Sequence, residues 1–144
     1  MGIVWGIVLI VLSLLGWGGQ AISWIAPAAA ARWSLTESEE SVEPVYHADV
    51  RGEALWDTLS LWTLLVAGLL LIFDSPGWAY FGLIGGGMYL YFAGRGILTR
   101  LEMQRRGFRI GEPRNVGAAY WMLAIWGVVA VITIVAAIAA LPTE

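Results

Sequence analysis

Ionisable side chains are scarce in this chain, and those whose types and spacing could do chemistry fall into two groups. The first surrounds Arg95, a guanidinium inside the apolar stretch 77–99, GWAYFGLIGGGMYLYFAGRGILT. A charge at that position is costly in lipid, so it snorkels to the headgroups, takes a counter-ion or holds a ligand. Side chains on a helix lean toward its N-terminus, here away from the arginine-rich run that follows, so snorkelling works against the Cα–Cβ direction. A carboxylate partner is therefore expected. Asp57, with Glu53 one turn before it, enters a neighbouring apolar stretch at a matching depth and is the expected ion-pair partner. Tyr91, Tyr120 and Gln20 fall at similar depth and would complete a polar vestibule around Arg95 and Asp57.

The second group lies in the polar segment RWSLTESEESVEPVYHADVRGEA, residues 32–54. Glu43, His47 and Asp49 cluster around the only histidine and are ligand types that a divalent cation accepts. Pro44 interrupts the helical register that would bring Glu43 to His47, so a solvated acidic loop is expected here and not a metal centre. Ser34 and Glu37 have capping-box spacing, which predicts a short helix ended by Pro44.

Little else in the chain resembles reaction chemistry. Cysteine is absent, which excludes disulfides, thiolate metal sites and thiol redox. No histidine lies in an apolar stretch, and no phosphate loop, Ser-His-Asp set or zinc motif occurs. The expectation is a non-catalytic protein without a cofactor.

The elements that must position these residues follow from composition. Of 144 residues, 59% are hydrophobic and 13% charged, with mean hydropathy +0.74. A soluble domain carries about a quarter charged residues. The apolar residues also run continuously, without the stripes of a water-facing helix. About 20 such residues cross a bilayer, and spans are expected at 2–24, 55–73, 77–99 and 117–141. Because lipid satisfies no backbone hydrogen bonds, these must be helices. The expected fold is an all-α integral membrane protein, four transmembrane helices in one antiparallel up-down bundle with a polar loop between the first two. The first span resembles a signal peptide only superficially, because nothing basic precedes it.

Arginine placement sets the expected orientation. Alternating spans put 25–54 (an acidic loop) and 100–116 (a basic loop) on one side. Those segments hold every arginine except Arg95. The positive-inside rule turns both toward the cytoplasm and both termini outward, in a bacterial or archaeal cell membrane. Arg100, Arg105, Arg106 and Arg109 would meet anionic lipid headgroups, at about 1 kcal/mol each. This topogenic role accounts for the charge without nucleic acid as a partner.

Ala79, Gly82, Gly86 and Ala93 fall within about 60° of one another on a helical wheel. Small residues let membrane helices approach closely, so this seam is the expected packing face. The nine tryptophans sit mostly near span ends, as an interfacial belt would have them. Two roles follow. One is an oligomeric or accessory subunit docked through glycine and alanine seams onto copies of itself or a larger membrane complex. The other is an oligomeric channel or transporter for a small solute or ion, with its vestibule around Arg95 and Asp57.

Overall fold

The computed structural model describes residues 2–141, which are helical apart from short connections. In order come α1 (Gly2–Ile25), α2 (Pro27–Arg32), a 3-10 turn (Glu39–Ser41), α3 (Pro44–Ser60), α4 (Trp62–Ile72), α5 (Trp78–Arg105) and α6 (Pro113–Ala140). Three helical stretches are long and apolar enough to cross a membrane: Gly2–Ile25, Pro44–Ile72 and Pro113–Ala140. Their outward faces carry Ile3, Val4, Leu69, Trp121, Val128 and Val135, all exposed. Such continuous apolar surface suits lipid and not water. α5 matches α6 at 28 residues but carries Arg95, Arg100 and several glycines, and falls outside that apolar set.

α4 packs against α1 and α5, and α5 also packs against α6. Glycine makes these approaches feasible. A Cβ on Gly6 of α1 would stand 2.8 Å from the Gly68 carbonyl oxygen of α4, and one on Gly85 of α5 would stand 2.6 Å from the Leu64 nitrogen. The seam read from the sequence lies along α5 and is covered by α6 of the same chain. A Cβ on Gly86 would meet Ile134 Cγ1 at 2.7 Å and the Ala130 oxygen at 3.2 Å, and one on Gly82 would meet the Ala137 Cβ at 3.3 Å. Ala79 and Ala93 are buried with them. Around this contact gathers a core of Leu9, Leu61, Leu64, Ala67, Tyr89, Phe92, Leu123 and Ala130.

Helix ends obey local chemistry. Gly107, at φ +78°, stops α5: its N–H bonds to the Gln104 carbonyl, and that of Phe108 to the Met103 carbonyl. This is a Schellman closure, which needs the left-handed conformation glycine adopts freely. Asp74 takes the same role after α4, at φ +51°, with Ser75 N–H bonded to the Leu70 carbonyl. The α3–α4 junction at Leu61 is lined by hydroxyls bonded back to their own helix. Thr58 Oγ1 reaches the Ala54 carbonyl, Ser60 Oγ that of Trp56 and Thr63 Oγ1 that of Ser60, an arrangement that bends helices.

The polar segment departs from expectation in one respect. Pro44 begins a helix where the sequence reading had it ending one, because a proline lacks only an N–H that the first turn leaves unbonded. Ser34 has φ +56° and starts no helix. α3 therefore begins well ahead of the expected span at 55–73. This early start builds a second small core at the arginine-rich end, where Val42 and Tyr46 pack on Ile110 and Val116. The Glu43 N–H also bonds to the Arg109 carbonyl, 2.7 Å away. The two connecting segments are thus joined to each other.

Candidate functional site

The early start of α3 decides which carboxylates meet Arg95. Asp49, Glu53 and Asp57 recur every fourth residue and so share one face of α3. Arg95 Nη2 donates to Asp49 Oδ1 at 2.6 Å, and Nη1 lies 2.7 Å from Glu53 Oε1. The second contact is an ion pair whose angle falls short of a hydrogen bond. Arg95 and Asp49 are each about a quarter exposed, while the Glu53 side chain is 8% exposed.

The expected pair with Asp57 is corrected by this arrangement. Asp57 forms no ion pair among the described residues, is 2% exposed, and its Oδ2 has no hydrogen-bond donor. The guanidinium reaches one and two turns back along α3, toward the arginine-rich end. Both partners lie along the direction in which snorkelling was expected, because α3 continues far enough to supply carboxylates there.

The other vestibule residues divide. Tyr91 is exposed on the outer face of α5. Tyr120 donates its hydroxyl to Gln104 Oε1 at 2.8 Å. Gln20 and Glu53 do share a cavity, of about 630 Å³, bounded by α1, α3, α5, α6 and the segment before the 3-10 turn. α1 meets α6 where the Trp126 indole N–H donates to the Leu12 carbonyl at 3.1 Å. On the arginine-rich side of that contact, α1 lines the cavity from Leu15 to Ser23 and α6 from Trp126 to Arg114. Its deep end is apolar, with Gly16, Phe92, Leu123 and Trp126. Its outer end is charged, with Glu37, Glu53, Arg100 and Arg114. Arg100 donates to its own helix at the Gly96 carbonyl, 2.9 Å away, and stands 5.9 Å from the Tyr46 ring centroid.

The acidic cluster does not converge. Asp49 is committed to Arg95, Glu43 is the residue before α3, and His47 Nε2 lies 4.0 Å from Glu39 Oε2. Among the described residues no three of His, Asp and Glu are placed to hold a metal ion. The arginines expected at lipid headgroups also differ among themselves. Arg105 and Arg109 are exposed, Arg106 is paired with Glu102 at 2.7 Å, and Arg100 lines the cavity.

Two structural roles were not singled out in the sequence. Arg51 donates to the carbonyls of Ser23 and Trp24, and its guanidinium stands 4.8 Å from the Trp24 ring centroid. It thereby neutralises the end of α1, where unbonded carbonyls and the helix dipole favour a cation. Trp17 donates from Nε1 to the Thr58 carbonyl at 2.8 Å, just before the α3–α4 junction, a fixed role that an interfacial belt of tryptophans does not require. Arg51 could have been sought from the basic side chain alone, but which helix end it caps depends on the fold.

Comparison with known proteins finds no matching family model, no matching curated protein and no matching solved structure. The functional reading therefore rests on the geometry.

Proposed function

We propose that this is a four-span membrane protein that takes a small ligand into a vestibule facing the cytoplasmic side, as the loading site of a small transporter or carrier. In this reading α5 is the fourth span, the bundle is antiparallel and up-down, and the arginine-rich end faces the cytoplasm by the positive-inside rule. Tightly spaced turns and the run of contacts from Gly6–Gly68 through Arg51–Trp24 support the antiparallel arrangement of α1 against α4 and α3. The cavity between α1 and α6 carries the proposal. Its volume lies within the range of small-molecule pockets, roughly 300–1,000 Å³, and its lining joins an apolar deep end to a charged outer end. The cavity lining ends at Trp126 of α6 and Leu15 of α1, well short of the far ends of those helices, so passage across the membrane requires the helices to rearrange.

The test is a ligand panel read by thermal stabilisation of the purified protein, followed by flux into reconstituted vesicles. A ligand that raises the melting temperature and is carried across, with both effects lost on filling the cavity by Ala119→Trp, is the expected result. Binding and flux undiminished in Ala119→Trp would overturn the proposal.

A second reading, an oligomeric or accessory subunit, is favoured by one feature. The seam of Gly82 and Gly86 is used within the chain, but Gly87 has open space around its Cβ position, as does Gly94. They fall in a heptad-like stripe on α5 with the exposed Tyr80, Ile84, Tyr91 and Leu98. A Gly87→Leu change that alters the oligomeric state in mild detergent, with the melting temperature unchanged, would support this subunit reading.

A further inference from the structure

We propose that the occupant of the cavity between α1 and α6 is a phospholipid with a zwitterionic, primary-ammonium headgroup, which deepens and rests on the vestibule reading above. The charge arrangement argues for both halves of such a headgroup. Arg100 and Arg114 line the outer end, and neither has a carboxylate within 4.0 Å among the described residues. They suit a phosphodiester, which arginine recognises through charge-assisted hydrogen bonds. Glu37 and Glu53 line the same end. Glu37 lies against the backbone of Gly111, which has φ +128°: a Cβ there would lie 2.6 Å from the carboxylate carbon. Only a glycine admits Glu37 so close. The Glu53 side chain is nine-tenths buried with its Oε1 sealed against Arg95 Nη1, and it adds negative charge to this end of the cavity. An ammonium supplies a counter-charge to the Glu37 carboxylate, which has no cationic side chain within 4.0 Å among the described residues.

The deep end argues for a lipid over a free headgroup. Phe92, Leu123 and Trp126 offer nothing to a phosphate but would bury the upper part of an acyl chain. The rest of the hydrocarbon remains in the bilayer beside α1 and α6.

The test titrates the full-length protein in maltoside detergent with dihexanoyl phosphatidylethanolamine, dihexanoyl phosphatidylglycerol and tail-less phosphoethanolamine, read by calorimetry. The ethanolamine lipid should bind at least roughly tenfold more tightly than the glycerol lipid, the scale of one charge-assisted hydrogen bond. The tail-less headgroup should bind weakest. Glu37→Gln, in a surface segment, should bring the two lipids to equal affinity, and Arg114→Gln should weaken both. Equal affinities in the wild type, or a preference that survives Glu37→Gln, would overturn the headgroup assignment. If Ala119→Trp then still abolishes binding of either lipid, the vestibule stands and only its ligand was misassigned. Binding untouched by Ala119→Trp would overturn both. Phosphoethanolamine binding as tightly as its lipid would make the occupant a soluble solute and defeat the lipid proposal.

Discussion

Arg95 of α5 and Glu53 of α3 meet at 2.7 Å, with Asp49 completing the pair from one turn further along α3 and Asp57 left buried without a partner for Oδ2. A cation in an apolar helix is tolerable only where its charge is met. Here it is met by two carboxylates on a single helix face.

Arg95→Met should destabilise the protein by about 3 kcal/mol, at the lower end of what breaking a buried pair costs because Arg95 and Asp49 are partly exposed. Double-mutant cycles in detergent, read by thermal unfolding, should return coupling above about 1 kcal/mol for Arg95 with Glu53 and much less for Arg95 with Asp57. The reverse order of couplings would contradict the geometry.

Asp57→Asn should leave stability unchanged or raise it, by up to about 1 kcal/mol. It removes a buried carboxylate whose Oδ2 accepts nothing and which stands near Glu53 on the same face. A fall in melting temperature of several degrees would mean that the Asp57 carboxylate holds a partner.

Adjacent glycines should respond with opposite sign. Gly85→Ala places a methyl against the Leu64 backbone and should cost about 2 kcal/mol, the scale of overpacking. Gly87→Ala meets open space and should stabilise α5 by roughly 0.5–1 kcal/mol through helix propensity. Equal effects at the two positions would show that α4 and α5 are not in close contact there.

Arg51→Gln should cost about 1–2 kcal/mol by exposing the last carbonyls of α1 and removing the cation from the helix end. The specific readout is faster amide hydrogen exchange in the last turn of α1, with the start of α1 unaffected. Uniform acceleration through all helices would mean a global loss of stability and no local cap.

The proposed orientation is open to labelling, because the chain contains no native cysteine. A single cysteine at Ser38 should react with a membrane-impermeant maleimide only after cells are opened, and one at Pro76 should react in intact cells. The opposite pattern would invert the bundle.

Much of this architecture was readable from residue order, because lipid imposes a requirement on every span: continuous apolar length with all backbone hydrogen bonds made locally. Runs such as the one ending in VVAVITIVAAIAA, together with the glycine stop at Gly107, speak for themselves at short range. The pairing of Gly82 and Gly86 with some other helix was also legible, since a smooth stripe serves close approach whatever comes to it. That α6 of the same chain comes to it is a tertiary fact. So are the partners of Arg95, because they depend on how far α3 extends before entering the apolar region. Pro44 is compatible with either ending or starting a helix, and only the contact of Val42 and Tyr46 with Ile110 and Val116 selects the start. Local sequence thus determined that these segments are helices and which faces are smooth or charged. Which faces meet depends on packing free energies summed over residues distant in the chain, and only the folded structure expresses that sum.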